Sequence, residues 1–245
     1  MKKFFMFLAV FGFIAIAAQY ANAQELAANG LSVQSDAPVY QQIKAKFIEG
    51  GAGFMGSILL CLIFGLALSI ERIIYLNLAT TNVSKFLAKV EGALKNGGVE
   101  SAKEICRNTR GPVASIFYQG LCRAGEGPEA VEKAVVSYGG VQMSQLESGL
   151  GWIQLFIAVA PSLGFLGTVI GMIQAFDAIE VAGDISPNIV AGGMKVALIT
   201  TVGGLVVAII LQFIYSYIVS KIDSVVLSME DASISLVDMI VNNKK

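Results

Sequence analysis

The most informative absence from this 245-residue sequence is histidine, of which there is none. Without histidine, the chain lacks the commonest metal ligand and the usual general base near neutral pH. Charged residues make up only 14%, and the formal net charge of −1 leaves no global basic surface, so nucleic acid is not an expected partner. No nucleophile with its base, metal-ligand cluster or phosphate-binding loop is recognisable. The sequence therefore predicts no enzyme, no cofactor and no metal site.

Cysteine is also scarce, and its number is odd. Cys61 falls in an apolar stretch, whereas Cys106 and Cys122 fall in a polar segment whose basic residues indicate the cytoplasm. Because that compartment is reducing, we expect all three to be free thiols.

Hydrophobic residues, by contrast, make up 55% of the chain, and the mean hydropathy is +0.70. This composition is typical of a multi-pass membrane protein. Two apolar stretches, 148–176 and 189–220, are each long enough to cross a bilayer as a helix. Only a short acidic segment separates them, which predicts an antiparallel helical hairpin.

Small residues recur along both stretches at spacings of three and four. They are Ala160, Gly164, Gly167, Gly171 and Ala175 on the first, and Gly193, Ala197, Thr201, Gly204 and Ala208 on the second. Such spacing places small residues on one narrow face, where another helix can approach closely. We interpret the glycines as helix-packing residues: Gly164, Gly167, Gly171, Gly193 and Gly204.

A third spanning helix is predicted at 52–78, where Glu71-Arg72 marks the membrane boundary as an interfacial ion pair. The segment 1–23 has two lysines, an apolar core and Ala21-Asn22-Ala23, the layout of a secretory signal peptide cut before Gln24. An uncleaved extra helix is the alternative. Either interpretation exports residues 24–51, in which a helix is expected from Tyr40 to Phe47.

The polar segment 79–147 has a helical pattern with breaks at Gly97-Gly98, Gly111-Pro112 and Gly127-Pro128. The loop 177–188 carries no basic residue. The segment 79–147 carries eight: Lys85, Lys89, Lys95, Lys103, Arg107, Arg110, Arg123 and Lys133. The positive-inside rule then makes the long segment cytoplasmic and the short loop periplasmic. The acidic residues of that loop form either a cation-concentrating mouth or a solvated turn: Asp177, Glu180 and Asp184.

The tail 221–245 is amphipathic, so we expect the last spanning helix to continue into the cytoplasm and pack on the helices of the long segment. The predicted fold is all-α, an integral membrane protein. Three long transmembrane helices extend into a cytoplasmic helical bundle, preceded by a signal peptide or an extra helix. The mature N-terminus would be periplasmic and the C-terminus cytoplasmic.

No aspartate or glutamate lies deep in the two central stretches, although proton relays through a membrane normally need a titratable carboxylate or imidazole. Lys195 is the ionisable group clearly inside the apolar runs. If this chain conducts protons, another protein must supply the carboxylate.

The strings APSLGFLGTVIGM and ALITTVGGLVVAI resemble the paired signatures of the MotA/TolQ/ExbB proton channel family, and the ExbB/TolQ branch is the most similar in length and layout. The resemblance extends from about Gly53 to Ser220. It implies a proton-channel subunit of an inner-membrane energy-transducing complex, coupling proton motive force to TonB-dependent outer-membrane transport. It also implies a homo-oligomer, a pentamer, around ExbD- or TolR-like single-span subunits that supply a membrane aspartate, with a TonB-like protein as a further partner.

Carried over residue by residue, the resemblance assigns the pore-lining hydroxyls to Thr168 and Thr201, with Thr200 as a neighbour. A hydroxyl can donate to a carboxylate and accept from its protonated form, so it suits a group that changes charge. The alternative is that each threonine bonds the carbonyl of its own helix.

One position departs from the family pattern. Many ExbB and TolQ proteins carry a glutamate shortly before the last threonine, where this chain has Val196, preceded by Lys195. Lys195 reaches outward to the interface, or pairs with Asp177 or Glu180, or tunes the pore by repelling cations. Without the glutamate, the conducted ion stays open between proton and sodium.

Three other functions are compatible with parts of the pattern. TolQ-like envelope maintenance would use the same pore, and a stator of a flagellar or gliding motor would use a similar one. A solute transporter would have an internal repeat and broken helices, yet no repeat is visible and Pro161 is the one breaker deep in a span.

Overall fold

The structure is a computed structural model that describes residues 39–80, 82–183 and 187–243. The chain divides into two compact units, Met1–Ile48 and Glu49–Lys245. Helix α1, Val39–Glu49, is the described element of the first unit and ends on the first residue of the second. It contains the helix predicted from Tyr40 to Phe47. The predicted signal peptide, or extra helix, lies outside the described residues.

The second unit is built from six helices in its described part. They are α2 (Ala52–Ala79), α3 (Val83–Asn108), α4 (Pro112–Cys122), α5 (Pro128–Glu147), α6 (Leu150–Ala182) and α7 (Pro187–Asn243). Three helical stretches, which include α2, α6 and most of α7, are long and apolar enough to cross a membrane. The all-α membrane fold predicted from the sequence is confirmed.

The predicted breaks fall at glycines with left-handed backbone. Gly98 interrupts α3 with φ 71° and ψ −169°, and Gly111 and Gly127 have φ of 123° and 116°. Proline follows the last two glycines directly, at a helix start where its missing N–H costs nothing. The long polar segment is therefore cut into short helices that can fold back on one another.

Helices α3, α4 and α5 form a bundle with the C-terminal part of α7. Its core is made of large apolar side chains, and Phe117 at its centre is fully buried and meets Phe86 edge to face, with 5.2 Å between ring centroids. Helix α7 continues from the membrane into this bundle, where Met229, Leu236 and Ile240 join the same core. The prediction that the last helix packs on the helices of the polar segment is confirmed.

In the apolar part, α6 and α7 form an antiparallel hairpin, and α2 packs against both. A small apolar cluster joins the three helices, with Ile58 and Cys61 from α2, Ala160 from α6, and Val207 and Leu211 from α7. We call the end of these helices nearest the bundle the bundle end, and the end at the α6–α7 connection the hairpin end.

The connection at the hairpin end is shorter than predicted. Helix α6 continues through Asp177 and Glu180 to Ala182, and Gly183 ends it with φ 68°. Because the residues between Asp177 and Ala182 include good helix formers and no glycine or proline, the first stop signal is Gly183. The expectation that these two carboxylates lie in a loop is therefore wrong. Asp184 lies outside the described residues.

All three cysteines are free thiols, as expected from the sequence. Cys61 and Cys106 are buried, and Cys122 is exposed. Burial raises the pKa of the Cys106 thiol to about 12, which keeps it protonated and unreactive at neutral pH.

Candidate functional site

The seam between α6 and α7 is a contact between backbones. A Cβ atom added at Gly204 would lie 2.5 Å from the carbonyl oxygen of Ala160, and one at Gly164 would lie 2.9 Å from that of Thr200. The five glycines that the sequence analysis assigned to packing all lie at this seam: Gly164, Gly167, Gly171, Gly193 and Gly204. In a membrane, close approach of this kind favours association through van der Waals contact.

Thr200 lies inside the seam and has no exposed surface. It fills the space over Gly167, where an added Cβ would lie 2.6 Å from its Oγ1, and it donates to the carbonyl of Ala197 at 2.8 Å. The contact face of α7 is therefore rotated relative to the small-residue pattern, since Thr200 and Val207 are buried where Thr201 and Ala208 were expected. Thr200 fits into the seam because Gly167 of α6 has no side chain and leaves space for it.

Thr168 and Thr201 are half-buried on the side of the seam away from α2. On α6, Phe156 stacks on Phe64 of α2, and Thr168 lies twelve residues later, about 120° around the helix. On α7, Gly203 faces Met55 of α2, and Thr201 lies two residues earlier, about 160° around. The hairpin thus presents both hydroxyls on one open side, which we call the threonine face.

Both hydroxyls donate to backbone carbonyls in this chain. Thr168 Oγ1 donates to the Phe165 carbonyl at 2.5 Å, within its own helix. Thr201 Oγ1 donates across the seam to Gly164 at 3.3 Å, or to Ala197 at 3.4 Å. In the single chain both threonines therefore bond to backbone carbonyls, which was the alternative to a pore-lining role. Each oxygen can still accept hydrogen bonds. The long bonds of Thr201 are weak, so this hydroxyl is the easier one to redirect.

Lys195 reaches a partner that the sequence did not indicate. Its Nζ lies 3.0 Å from Oε1 of Glu49, at the hairpin end, so the expected pairing with Asp177 or Glu180 is not the one present. Nothing in the sequence pattern linked two residues this far apart in the chain. Lys195 lies six residues before Thr201, about 120° around α7, and is turned toward the start of α2.

Arg72 marks the bundle end of the apolar helices. Its Nε lies 3.0 Å from the Glu71 carboxylate, and its guanidinium lies 5.3 Å from the centre of the Tyr75 ring. The predicted ion pair at this boundary is present. The guanidinium also lies against Gly149, where φ is 83° and an added Cβ would be 2.9 Å from Nε. Arg72 therefore connects α2 to the start of α6 at the same level.

The described residues contain no group of three or more histidine, cysteine, aspartate or glutamate side chains that could hold a metal ion. The apolar runs of α6 up to Phe176 and of α7 up to Ser220 contain hydroxyls and amides but no carboxylate. One such amide, Gln154 on α6, was not singled out by the sequence analysis, because a lone glutamine in an apolar run carries no motif.

Comparisons with known proteins agree with this architecture. Residues 108–231 match the model of the MotA/TolQ/ExbB proton channel family. An ExbB homologue from Methanothermobacter thermautotrophicus is 37% identical over 162 residues, which is 66% of this chain and 57% of that protein. This chain thus matches little more than half the length of that relative.

Two shorter or weaker similarities point the same way. The biopolymer transport protein ExbB1 of Vibrio cholerae is 42% identical over 69 residues, covering 28% of this chain and 30% of that protein. An ExbB-like protein of Synechocystis is 29% identical over 149 residues, covering 60% and 71%. The family match covers half of the chain, from the bundle through both helices of the seam, and the chain belongs to the MotA/TolQ/ExbB proton channel family.

Proposed function

We propose that this chain is the ring-forming subunit of a proton channel in the bacterial inner membrane, with the threonine face lining the pore. Several copies, five by analogy with the family, would surround single-span ExbD- or TolR-like subunits that carry a membrane aspartate. The observation that carries the proposal is the position of Thr168 and Thr201 on one open side of a hairpin whose apolar runs contain no carboxylate. Hydroxyls without a carboxylate suit a pore whose titratable group belongs to a partner.

The two threonines would have different roles toward that carboxylate. The oxygens of Thr168 and Thr201 can accept a hydrogen bond from the protonated acid while their own hydrogens stay on the backbone. To stabilise the ionised form a hydroxyl must turn and donate, and Thr201, with backbone bonds of 3.3 and 3.4 Å, gives up less in doing so. Thr200, enclosed in the seam, would hold the two helices together rather than meet the ion.

The bundle end would be cytoplasmic, because the segment 79–147 holds eight basic residues and the connection at the hairpin end holds none. Proton passage would move the central helices, and a TonB-like protein would transmit that motion to outer-membrane transport. The relatives named as biopolymer transport proteins favour this role over TolQ-like envelope maintenance or a motility motor. The lack of an internal repeat argues against a solute transporter.

The test is proton flux in vesicles that contain the whole complex with its partner. Thr168→Val and Thr201→Val should each assemble normally, since valine has nearly the same shape, and should lose at least about 90% of the flux, as expected when one stabilising hydrogen bond in the path disappears. The matched control is Ser57→Ala, which removes a hydroxyl of α2 that donates to the Phe54 carbonyl. Near-normal flux in both threonine variants would contradict the pore assignment.

A further inference from the structure

Three glutamine side chains lie inside the apolar part of the hairpin. Gln174 is near the hairpin end, three residues before Asp177, and the other two lie toward the bundle end. Gln154 on α6 and Gln212 on α7 are both exposed on the chain, and neither amide has a hydrogen-bond partner among the described residues. An amide in hydrocarbon without hydrogen bonds is costly. Uncharged polar groups in membrane helices are accordingly expected to face a protein interior or a water-filled space.

The two amides lie at nearly the same depth. Ala160 meets Gly204 across the seam, so this pair sets the register of the antiparallel helices. From there to the bundle end, Gln154 is six residues along α6 and Gln212 eight along α7, which is about 9 Å and about 12 Å.

That depth is inside the membrane boundary marked by Arg72. The neighbour of Gln212, Leu211, fills the space over Gly65 of α2, and Gly65 lies seven residues, about 10 Å, before Arg72. Gly149, directly before α6, lies against Arg72, and Gln154 is five residues, about 7 Å, further in. Neither amide can therefore be explained as a side chain at the level of the membrane boundary.

Both amides also lie on the threonine face. Gln212 follows Thr201 by eleven residues, three turns of helix with a remainder of about 20°. Gln154 precedes Thr168 by fourteen residues, which leaves it within about 40° of the same direction. The side chains between the two levels on this face are apolar, including Phe165, Leu205 and Ala208. The face thus carries hydroxyls toward the hairpin end, an apolar section, and amides toward the bundle end.

We propose that Gln154 and Gln212 form an amide collar that holds water at the cytoplasmic mouth of the pore. Each amide offers two donor hydrogens and an acceptor oxygen and stays neutral, so it orders water without trapping a cation. A proton released by the partner's carboxylic acid passes to water, and the collar keeps that water connected to the cytoplasm. Gln154 and Gln212 are positioning residues, since the proton moves on water. This inference rests on the proposed function.

The first test measures whether the two positions face water. In a full-length chain with Cys61, Cys106 and Cys122 replaced, Gln154→Cys or Gln212→Cys is introduced and a cationic methanethiosulfonate is added to the cytoplasmic side of vesicles. Only a thiolate in water reacts, because hydrocarbon keeps a thiol protonated. Both thiols should react at least about ten times faster than that of Ile210→Cys. Ile210 is 40% exposed and two residues from Gln212, but it faces the other side of α7.

The second test is proton flux in the assembled complex. In the double variant Gln154→Leu, Gln212→Leu the proton flux should fall about tenfold, which is the scale of one hydrogen bond lost from the path. The double variant Gln154→Asn, Gln212→Asn should keep most of the flux. The matched control is Gln174→Leu, the same change on α6 but about 120° around the helix from Thr168.

The outcomes separate this inference from the proposed function. If the threonine variants lose flux while the double leucine variant keeps it, the collar is wrong and the pore assignment stands. If thiols at 154 and 212 react no faster than the thiol at 210, the collar is wrong whatever the threonine variants do. Fast labelling, loss of flux with leucine and recovery with asparagine would together support it.

Discussion

The membrane hairpin and the helical bundle hold together in different ways. Across the α6–α7 seam the closest contacts are made by glycine, alanine and threonine, and the backbones of the two helices approach each other closely. In the bundle, aromatic and branched side chains such as Phe117, Ile116 and Leu236 fill a core that excludes water. One helix, α7, takes part in both.

The difference follows from the solvent of each region. Water drives apolar side chains of the bundle together, so large side chains contribute most there. Lipid is as apolar as leucine, so the hairpin gains little from large side chains and gains instead from close contact of small ones. Many large residues of the hairpin are accordingly exposed on the chain, as Phe165, Leu205 and Phe213 are, and the closest contacts of the seam are made by small residues.

The largest expected effect is the loss of a large side chain from the bundle. Phe117→Ala should lower the free energy of unfolding of the bundle by about 3–5 kcal/mol, because the fully buried ring leaves a cavity among Phe86 and its neighbours. Thermal unfolding of the purified complex in detergent measures it. Leu227→Ala, which truncates an exposed side chain on the same bundle, should lower the free energy of unfolding much less. Equal losses in the two variants would mean that the bundle has no distinct core.

In the hairpin the sign is reversed, because adding a single methyl group should be harmful. Gly204→Ala places a Cβ 2.5 Å from the Ala160 carbonyl oxygen, and a backbone atom cannot move aside as a side chain can. We therefore expect the free energy of unfolding to fall by about 1–3 kcal/mol and the contact between α6 and α7 to weaken. The adjacent Gly203→Ala is the matched control, since its Cβ would meet only the flexible end of Met55 at 3.2 Å.

The measurement is the rate of cross-linking between cysteines placed on α6 and α7, together with thermal unfolding. Gly204→Ala should change both, and Gly203→Ala neither. A Gly204→Ala variant as stable as its neighbour would show that the seam is looser than the backbone contact implies.

The sequence was sufficient for the parts of this fold that depend on a long pattern. Uncharged runs predicted three spanning helices, and glycine with proline predicted the breaks of the polar segment, because each signal is local and repeated. The contact face of α6 also followed from spacing. That of α7 did not, since a stripe through Thr201 and one through Thr200 have nearly the same spacing. Thr200 is the residue that enters the seam because Gly167 leaves space for it, and Gly167 is on α6, so the sequence of α7 alone could not show this.

The contacts of single polar residues could not be predicted in the same way. Glu49 and Lys195 are far apart in the chain, and no pattern links them. Gln154 and Gln212 share a face and a depth only once the register of the hairpin is known. The roles of Thr168, Thr201 and Thr200 came from the family motif, and proton flux remains their test.

The smallest expected effect concerns the ion pair at the hairpin end, where neither packing mode applies. Lys195 and Glu49 are 53% and 36% exposed, so solvent screens their attraction, and a double-mutant cycle of Lys195→Met and Glu49→Gln should give a coupling of about 0.2–1 kcal/mol in thermal unfolding. The coupling should fall in high salt.

The same variants separate the two roles considered for Lys195. Since this lysine is turned about 120° from Thr201 toward the start of α2, we expect Lys195→Met to leave proton flux within about twofold of the wild-type value, as for a screened surface pair. A lysine that repelled cations from the pore would act otherwise: its loss would raise the flux several-fold, and Glu49→Gln, which leaves the charge of Lys195 uncompensated, would lower it. Opposite changes in the two variants would therefore place Lys195 in the pore, and no change in either would leave it as an anchor between α7 and Glu49, three residues before α2.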